Sequence, residues 1–309
     1  MARTGAGTPS NADVAGDASL AALFDEPFRI HRPERQTVPF VFASPHSGRS
    51  YPDSFVAMSR LGATALRRSE DAFVDELFGG AVRLGAPMIA ARFPRAFVDA
   101  NRSPAEIDPT MFDGRLSMTV DSTSPRVTAG LGVIPRIVRD GAEIYRLKLS
   151  PNDAQERLNR LHRPYHMALA QLIDETVAHF GAAVVIDCHS MPSAAAIPDI
   201  VLGDRYGMAA APLIMRVAGA SFEKQGFSFS RNAPYAGGYT TLLHGRRERD
   251  VHALQIEISR GLYLDEERIE RGPRYEPIHH RLTAALTELL AIEPALLAWQ
   301  RAGHRFAAE

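Results

Sequence analysis

Two histidines stand where runs of buried-strand character give out, and they are the residues best placed for chemistry. His46 follows the apolar, aromatic run of PFVFASPHSG (39–48), and His189 closes the β-branched run AAVVIDCHS (182–190). Catalytic zinc commonly takes three protein ligands from histidine and carboxylate side chains and keeps a fourth position for water. A carboxylate must therefore join the pair. RRSEDAFVDELF (67–78) offers Glu70 and Asp71 at an expected helix start, with Asp75 one turn on; Asp71 is the first choice and Glu70 the alternative. A histidine in a partly buried loop often does no more than hydrogen-bond, and it is the shared strand-exit position that favours a metal.

Glu257 lies inside HALQIEIS (252–259), where apolar neighbours would bury its carboxylate. A lone buried charge is costly, so Glu257 must pair with a cation such as Arg260, bind a metal or be a general base of raised pKa. Asn101 and Arg102 sit in FVDANRSPAEIDP (97–109) among Asp99, Glu106 and Asp108. The arginine fork suits a substrate carboxylate and suits a salt bridge to Asp99 or Asp108 equally well. NAPYAGGYT (232–240), with Asn232, Tyr235 and Gly238, is turn-forming and permits close backbone approach to a ligand. Cys188 and Ser190 flank His189, but neighbours along a strand face opposite ways, which disfavours a nucleophile and base pair. No nucleophile elbow, dinucleotide fingerprint or P-loop is present.

The elements that must position these residues alternate. After the strand ending at Ser44, AFVDELFGGAVRLG (72–85) has helical spacing and MIAAR (88–92) reads as strand. Residues 150–181 form a long helix, with Ser150 as N-cap, Pro151 at the first position, a kink at Pro164 and Gly181 as the stop. Strands at 182–190, 199–204 and 252–259 alternate with helices at 207–226 and 278–293. That order predicts a mainly parallel sheet with helices on both faces and ligands outside the carboxyl ends of the strands. The connection from Pro104 to Ser150 is too long for a mere connector and is expected to help form the site. Residues 1–20 are small and polar and read as a flexible tail, leaving 21–309 as one α/β domain.

Composition excludes other classes. The chain has 309 residues, 45% hydrophobic and 23% charged, with a formal net charge of -1 and no long basic run. Nucleic acid is therefore not an expected partner. No apolar stretch approaches the roughly 20 residues that span a bilayer. The single cysteine and the amino terminus without an apolar core lead us to expect a cytoplasmic protein.

FASPHSGRSYP, SEDAFVDELF, FVDANRSP, GLGVIPR, VVIDCHSMPS, NAPYAGGY and HALQIEISRGLY follow one another between residues 39 and 265. Together they resemble the N-formylglutamate amidohydrolase (deformylase) family. The resemblance implies a three-layer α/β sandwich similar to zinc-dependent exopeptidases, one Zn2+ per chain, and hydrolysis of N-formyl-L-glutamate to formate and glutamate in histidine breakdown. It implies a metal held by His46, Asp71 and His189, with Glu257 as base and acid. The Asn101–Arg102 pair, joined by Arg136 or Arg260, would hold the anionic small-molecule substrate, with the 232–240 turn beside it. Where this chain reads Glu70-Asp71-Ala72-Phe73, deformylases of the histidine pathway tend to carry Thr-Asp-Trp-His, so the pocket at the helix start differs.

Overall fold

The computed structural model describes residues 16–138 and 141–297. Most of the expected tail, residues 1–15, lies outside the described residues, as does 298–309. The chain enters the fold before the expected end of that tail at residue 20. Asp17 caps a helix at Ala18–Asp25 by accepting hydrogen bonds from the backbone of Ser19 and Leu20, and Leu20 and Leu23 are buried.

Seven strands form one mixed sheet in the order β1-β3-β2-β4-β7-β5-β6. They are β1 (Phe28–His31), β2 (Phe40–Ser44), β3 (Met88–Ala91), β4 (Ala183–Met191), β5 (Ile200–Gly203), β6 (Phe229–Arg231) and β7 (Val251–Ser259). The centre, β3-β2-β4-β7, is parallel, whereas β1 runs antiparallel to β3 and β5 antiparallel to β7. Alternating strands and helices thus predict the parallel centre but not the reversal at β5.

Side chains alternate across the two central strands and sort into two cores. Val184, Ile186 and Cys188 of β4 join Leu254, Ile256 and Ile258 of β7 under the helices Pro212–Lys224 and Tyr275–Leu290. Ala183, Val185 and Ala253 face the other way, against Tyr165, Leu169, Leu172 and Ile173 of the helix Arg163–Phe180. This makes three layers, helices on sheet on helices. No helix among the described residues is long and apolar enough to cross a membrane.

The expected helix over 72–85 is two short ones, Val74–Leu77 and Gly80–Arg83. Gly79 and Gly80 weaken a continuous helix there. The expected helix over 150–181 is Pro151–Arg157 and Arg163–Phe180, joined by a π-helical turn at Leu158–His162. Pro164 has no N–H, and its ring would meet the carbonyl four residues back. The chain relieves this by widening, so that the Arg163 N–H reaches the Leu158 carbonyl.

Candidate functional site

One face of β4 and β7 changes character along its length. The side that buries Ala183, Val185 and Ala253 continues, at period two, into Asp187 and His189 on β4 and Gln255 and Glu257 on β7. The two strands pair in register, His189 opposite Glu257. The polar half faces a cavity of about 460 Å³ into which the 104–150 connection sends Arg126, Leu131, Pro135 and Ile137.

His46 comes to the same cavity from the turn after β2. Ser44 and Ser47 join hydroxyls at 2.8 Å across that turn, and Gly48 presses so close to the Phe93 carbonyl that a Cβ would lie 2.1 Å from its oxygen. Asp71 is tied to the turn through its N–H, which donates to the His46 carbonyl at 3.0 Å. The side chains converge: Oδ2 of Asp71 lies 3.3 Å from Nδ1 of His46 and 2.9 Å from Nδ1 of His189, all three residues buried. Oδ1 of Asp71 is taken by Arg260 at 2.9 Å. Burial opposes ionisation of Asp71, but the hydrogen bonds and charges of the two histidines outweigh it and hold the carboxyl well below its usual range.

The donor set fits a tetrahedral cation. Ligand atoms about 2 Å from such an ion lie about 3.3 Å from one another, close to the 3.3 and 2.9 Å from Asp71 to the two histidines, and all three ligand atoms lie within 4.8 Å of one another. Behind each histidine stands a further carboxylate. Nε2 of His46 donates to Oδ1 of Asp99 at 2.7 Å; burial opposes the charge of Asp99, while His46, Arg102 and Arg95 keep its carboxyl well below the usual range. Nε2 of His189 lies 3.0 Å from Oδ1 of Asp187, but out of line for a hydrogen bond, and that oxygen is buried without a partner. Nε2 instead meets Nδ2 of Asn101 at 2.9 Å. In that contact Nε2 accepts from the Asn101 amide; if Nδ1 gave its lone pair to a cation, the proton would reside on Nε2 and the ring would turn from the amide to the orphaned oxygen of Asp187.

Glu257 lines the cavity beside His189 and accepts a hydrogen bond from Gln255 at 2.9 Å. Burial pushes its carboxyl up to about 7. The ion pair with Arg260 that its sequence setting allowed is not made, because Arg260 turns to Asp71 and to Ser190 Oγ, 3.1 Å away. Asn101, Arg102, Tyr235, Gly238 and Arg260 all line the cavity. Asn101 is packed so tightly on Gly238 that any Cβ there would meet its amide at 2.4 Å. Burial lowers Arg102 to about 10, which leaves it charged near neutral pH. Its Nε and Nη1 donate to the carbonyls of Leu131 and Asn101.

Four expected residues do not line the cavity. Glu70, the alternative ligand, is turned away to Arg67 at 3.0 Å and to the Tyr51 hydroxyl at 2.8 Å, because successive residues of the turn point apart. Arg136 faces outward between Asp108 at 3.5 Å and Glu143 at 3.6 Å. Asn232 staples its own loop, accepting from the N–H of Asp204 at 3.0 Å and donating to that residue's carboxylate at 2.9 Å. Asp75, one turn beyond Asp71, pairs with Arg49.

Sequence reasoning missed Asp99, Asp187, Arg95 and Arg126 as parts of the site. Asp187 had a signal: it precedes His189 by the strand period and so shares its face. Arg95, which donates to Asp99 Oδ2 at 3.0 Å, and Arg126, which makes no ion pair with the described residues, had none.

The site can be set beside known proteins. The model of the family described as N-formylglutamate amidohydrolase matches residues 38–264. An N-formylglutamate deformylase of Pseudomonas aeruginosa is 30% identical over 284 residues, spanning 87% of this chain and 96% of its own. One of Pseudomonas putida is 27% identical over 274 residues, spanning 85% and 93%. The crystal structure of an N-formylglutamate amidohydrolase from Ralstonia eutropha JMP134 aligns with a TM-score of 0.79 at 33% identity, covering 90% of this chain and 99% of that one. A protein of Agrobacterium tumefaciens shares the fold, with a TM-score of 0.60 at 18% identity. The chain belongs to the N-formylglutamate amidohydrolase family and is a hydrolase of amide bonds.

Proposed function

We propose that the chain hydrolyses the formamide bond of an N-formyl acidic amino acid, N-formyl-L-glutamate above all, with zinc held by Nδ1 of His46, Oδ2 of Asp71 and Nδ1 of His189. The observation that carries this reading is the convergence of those three atoms beside Glu257 in one cavity. Bound there, zinc supplies Lewis acidity toward the formyl oxygen and lowers the pKa of water.

The chain's own residues do the rest. Glu257 takes a proton from the attacking water as its oxygen joins the formyl carbon, then delivers it to the amine nitrogen as the C–N bond breaks, giving formate and the free amino acid. A carboxyl that titrates near neutral pH suits both halves of that transfer. Asp71 would offer the metal Oδ2, since Arg260 donates to Oδ1. Asp99 and Asp187 orient the two imidazoles.

Substrate charge is met by the rim. Arg68, Arg95, Arg102, Arg126 and Arg260 line the cavity against Asp71, Asp99 and Glu257. Arg102 receives the carboxylate next to the scissile amide, and Arg126 receives the side-chain carboxylate. The relatives from Pseudomonas are named deformylases of N-formylglutamate, a substrate with two carboxylates, which agrees with this excess of arginine.

The test is metal analysis of the purified full chain together with formate release from a panel of N-formyl amino acids. The reading expects close to one zinc per chain and the greatest kcat/KM on the glutamate derivative. Formate release that survives complete chelation would overturn the metal mechanism. Preference for an apolar N-formyl or a longer N-acyl amino acid would reassign the substrate while leaving the amidase.

A further inference from the structure

A second histidine cluster lies behind the segment that carries Asn101 and Arg102, and none of its members lines the cavity. His162, the last residue of the π-helical turn, and His166, one helical turn on, project onto the backbone of residues 100–102. Nε2 of His162 is 2.9 Å from the Arg102 carbonyl, and Nε2 of His166 is 2.8 Å from the Ala100 carbonyl. A carbonyl oxygen only accepts, so both Nε2 atoms carry hydrogen. Nδ1 of His166 lies 3.1 Å from Nε2 of His244. In a neutral His166 that Nδ1 is a lone pair, and His244 must donate to it. With the three rings neutral, this geometry leaves each in the Nε2–H form. Tyr239 packs edge-on against His166, with ring centroids 5.2 Å apart.

Both carbonyls flanking Asn101 are therefore held from one side. The asparagine is held from the others: its N–H donates to Asp99 at 2.9 Å, and its Oδ1 accepts from the Thr240 N–H at 2.8 Å. We propose that His162, His166 and His244 are positioning residues, a neutral imidazole clamp that fixes the angle at which Asn101 and Arg102 enter the cavity. The proposal rests on the reading of that pair as a substrate-carboxylate site. Among the described residues no carboxylate hydrogen-bonds to the three rings; Asp99 and Arg163 act on His162 by charge alone, Asp187 on His166, and Asp187 and Arg246 on His244. Burial lowers all three and carries His166 and His244 to about 3, so those two keep one protonation state throughout the neutral range.

The test compares His162→Leu with His162→Gln in the full, zinc-loaded chain. The leucine removes the donor, whereas the glutamine amide can reach the same carbonyl. The leucine protein is expected to show an increase in KM for N-formyl-L-glutamate of about tenfold, with kcat within about threefold and zinc content unchanged, and the glutamine protein is expected to recover most of the loss. A folded, zinc-loaded His162→Leu protein with the parental KM, or a glutamine protein no better than the leucine one, overturns the clamp. A second measurement needs neither turnover nor a variant. Nitrogen-15 NMR of the parent labelled at histidine is expected to show His166 and His244 as neutral Nε2–H imidazoles that do not titrate between pH 5 and 8, and His162 with its hydrogen on Nε2. Titration of His166 or His244 in that range, or a neutral Nδ1–H form of any of the three, overturns the clamp. If the parent releases no formate from any substrate, the functional reading fails and the NMR result still decides the clamp.

Discussion

The molecule holds two buried histidine clusters on either side of one short segment, and they differ in what their ring nitrogens meet. His46 and His189 have carboxylates on both sides, Asp71 in front and Asp99 and Asp187 behind. His162, His166 and His244 meet only carbonyls and one another. Burial opposes the charged form of His189, His166 and His244, but at His189 the charge of Asp187 outweighs it and raises the pKa, whereas at His166 and His244 burial wins. A concentration of negative charge around lone pairs prepares a place for a cation. Carbonyls alone prepare a rigid, uncharged strut. Residue type says nothing about which of the two a histidine will be; its partners decide.

Breaking the charged cluster should have the largest effect. His189→Ala removes a ligand atom, and zinc content is expected to collapse along with at least about a thousandfold of kcat/KM; full zinc occupancy by metal analysis in the folded variant would refute the ligand assignment. Glu257→Gln should separate chemistry from metal binding: zinc is retained while kcat falls by about 10² to 10⁴, and parental turnover would remove Glu257 as the base. Asp187→Asn probes the support behind His189. A loss of about 10- to 100-fold in zinc affinity is expected, read by competition with a chelator, and an unchanged affinity would show that the orphaned oxygen is idle. Arg126→Ala should raise KM on a substrate with two carboxylates by about tenfold and spare one lacking the side-chain carboxylate; equal effects on both would exclude it as the side-chain receptor.

The neutral cluster is sharpened by pH. The folded-state pKa values of His166 and His244, about 3, lie below the ordinary value of 6.5. Between those limits the unfolded chain binds more protons than the folded one, so stability rises with pH there. Their full contribution is expected above about pH 6.5 and is lost gradually as pH falls toward 3. Denaturant unfolding of the parent against His244→Phe, compared from pH 7 down to 4.5, checks this: a pH slope identical in the two proteins would show that His244 contributes none of it.

How much of the site was legible depended on how local each signal was. His46 and His189 could be found because each ends an apolar run, and Glu257 because it interrupts one. Asp71 could be proposed but not separated from Glu70, since adjacent residues in a turn differ only in direction, and the direction came from contacts with Tyr51 and Arg67 on one side and the two histidines on the other. Arg136 and Asn232 shared suitable chemistry with residues that do line the cavity, yet nearby acids and a loop backbone engaged them first.

The sequence by itself determined the alternation of strands and helices, the residues at the ends of the central strands and, through a run of seven strings, the family, because hydrophobic period and short motifs are local properties. Only the tertiary structure decided that β5 reverses, that Arg260 serves Asp71 and not Glu257, and that five histidines divide into a pair set among carboxylates and a three set against carbonyls and one another. Those outcomes depend on which groups distant segments bring within about 3 Å in a low-dielectric interior, where hydrogen bonds and charge strengthen steeply with proximity.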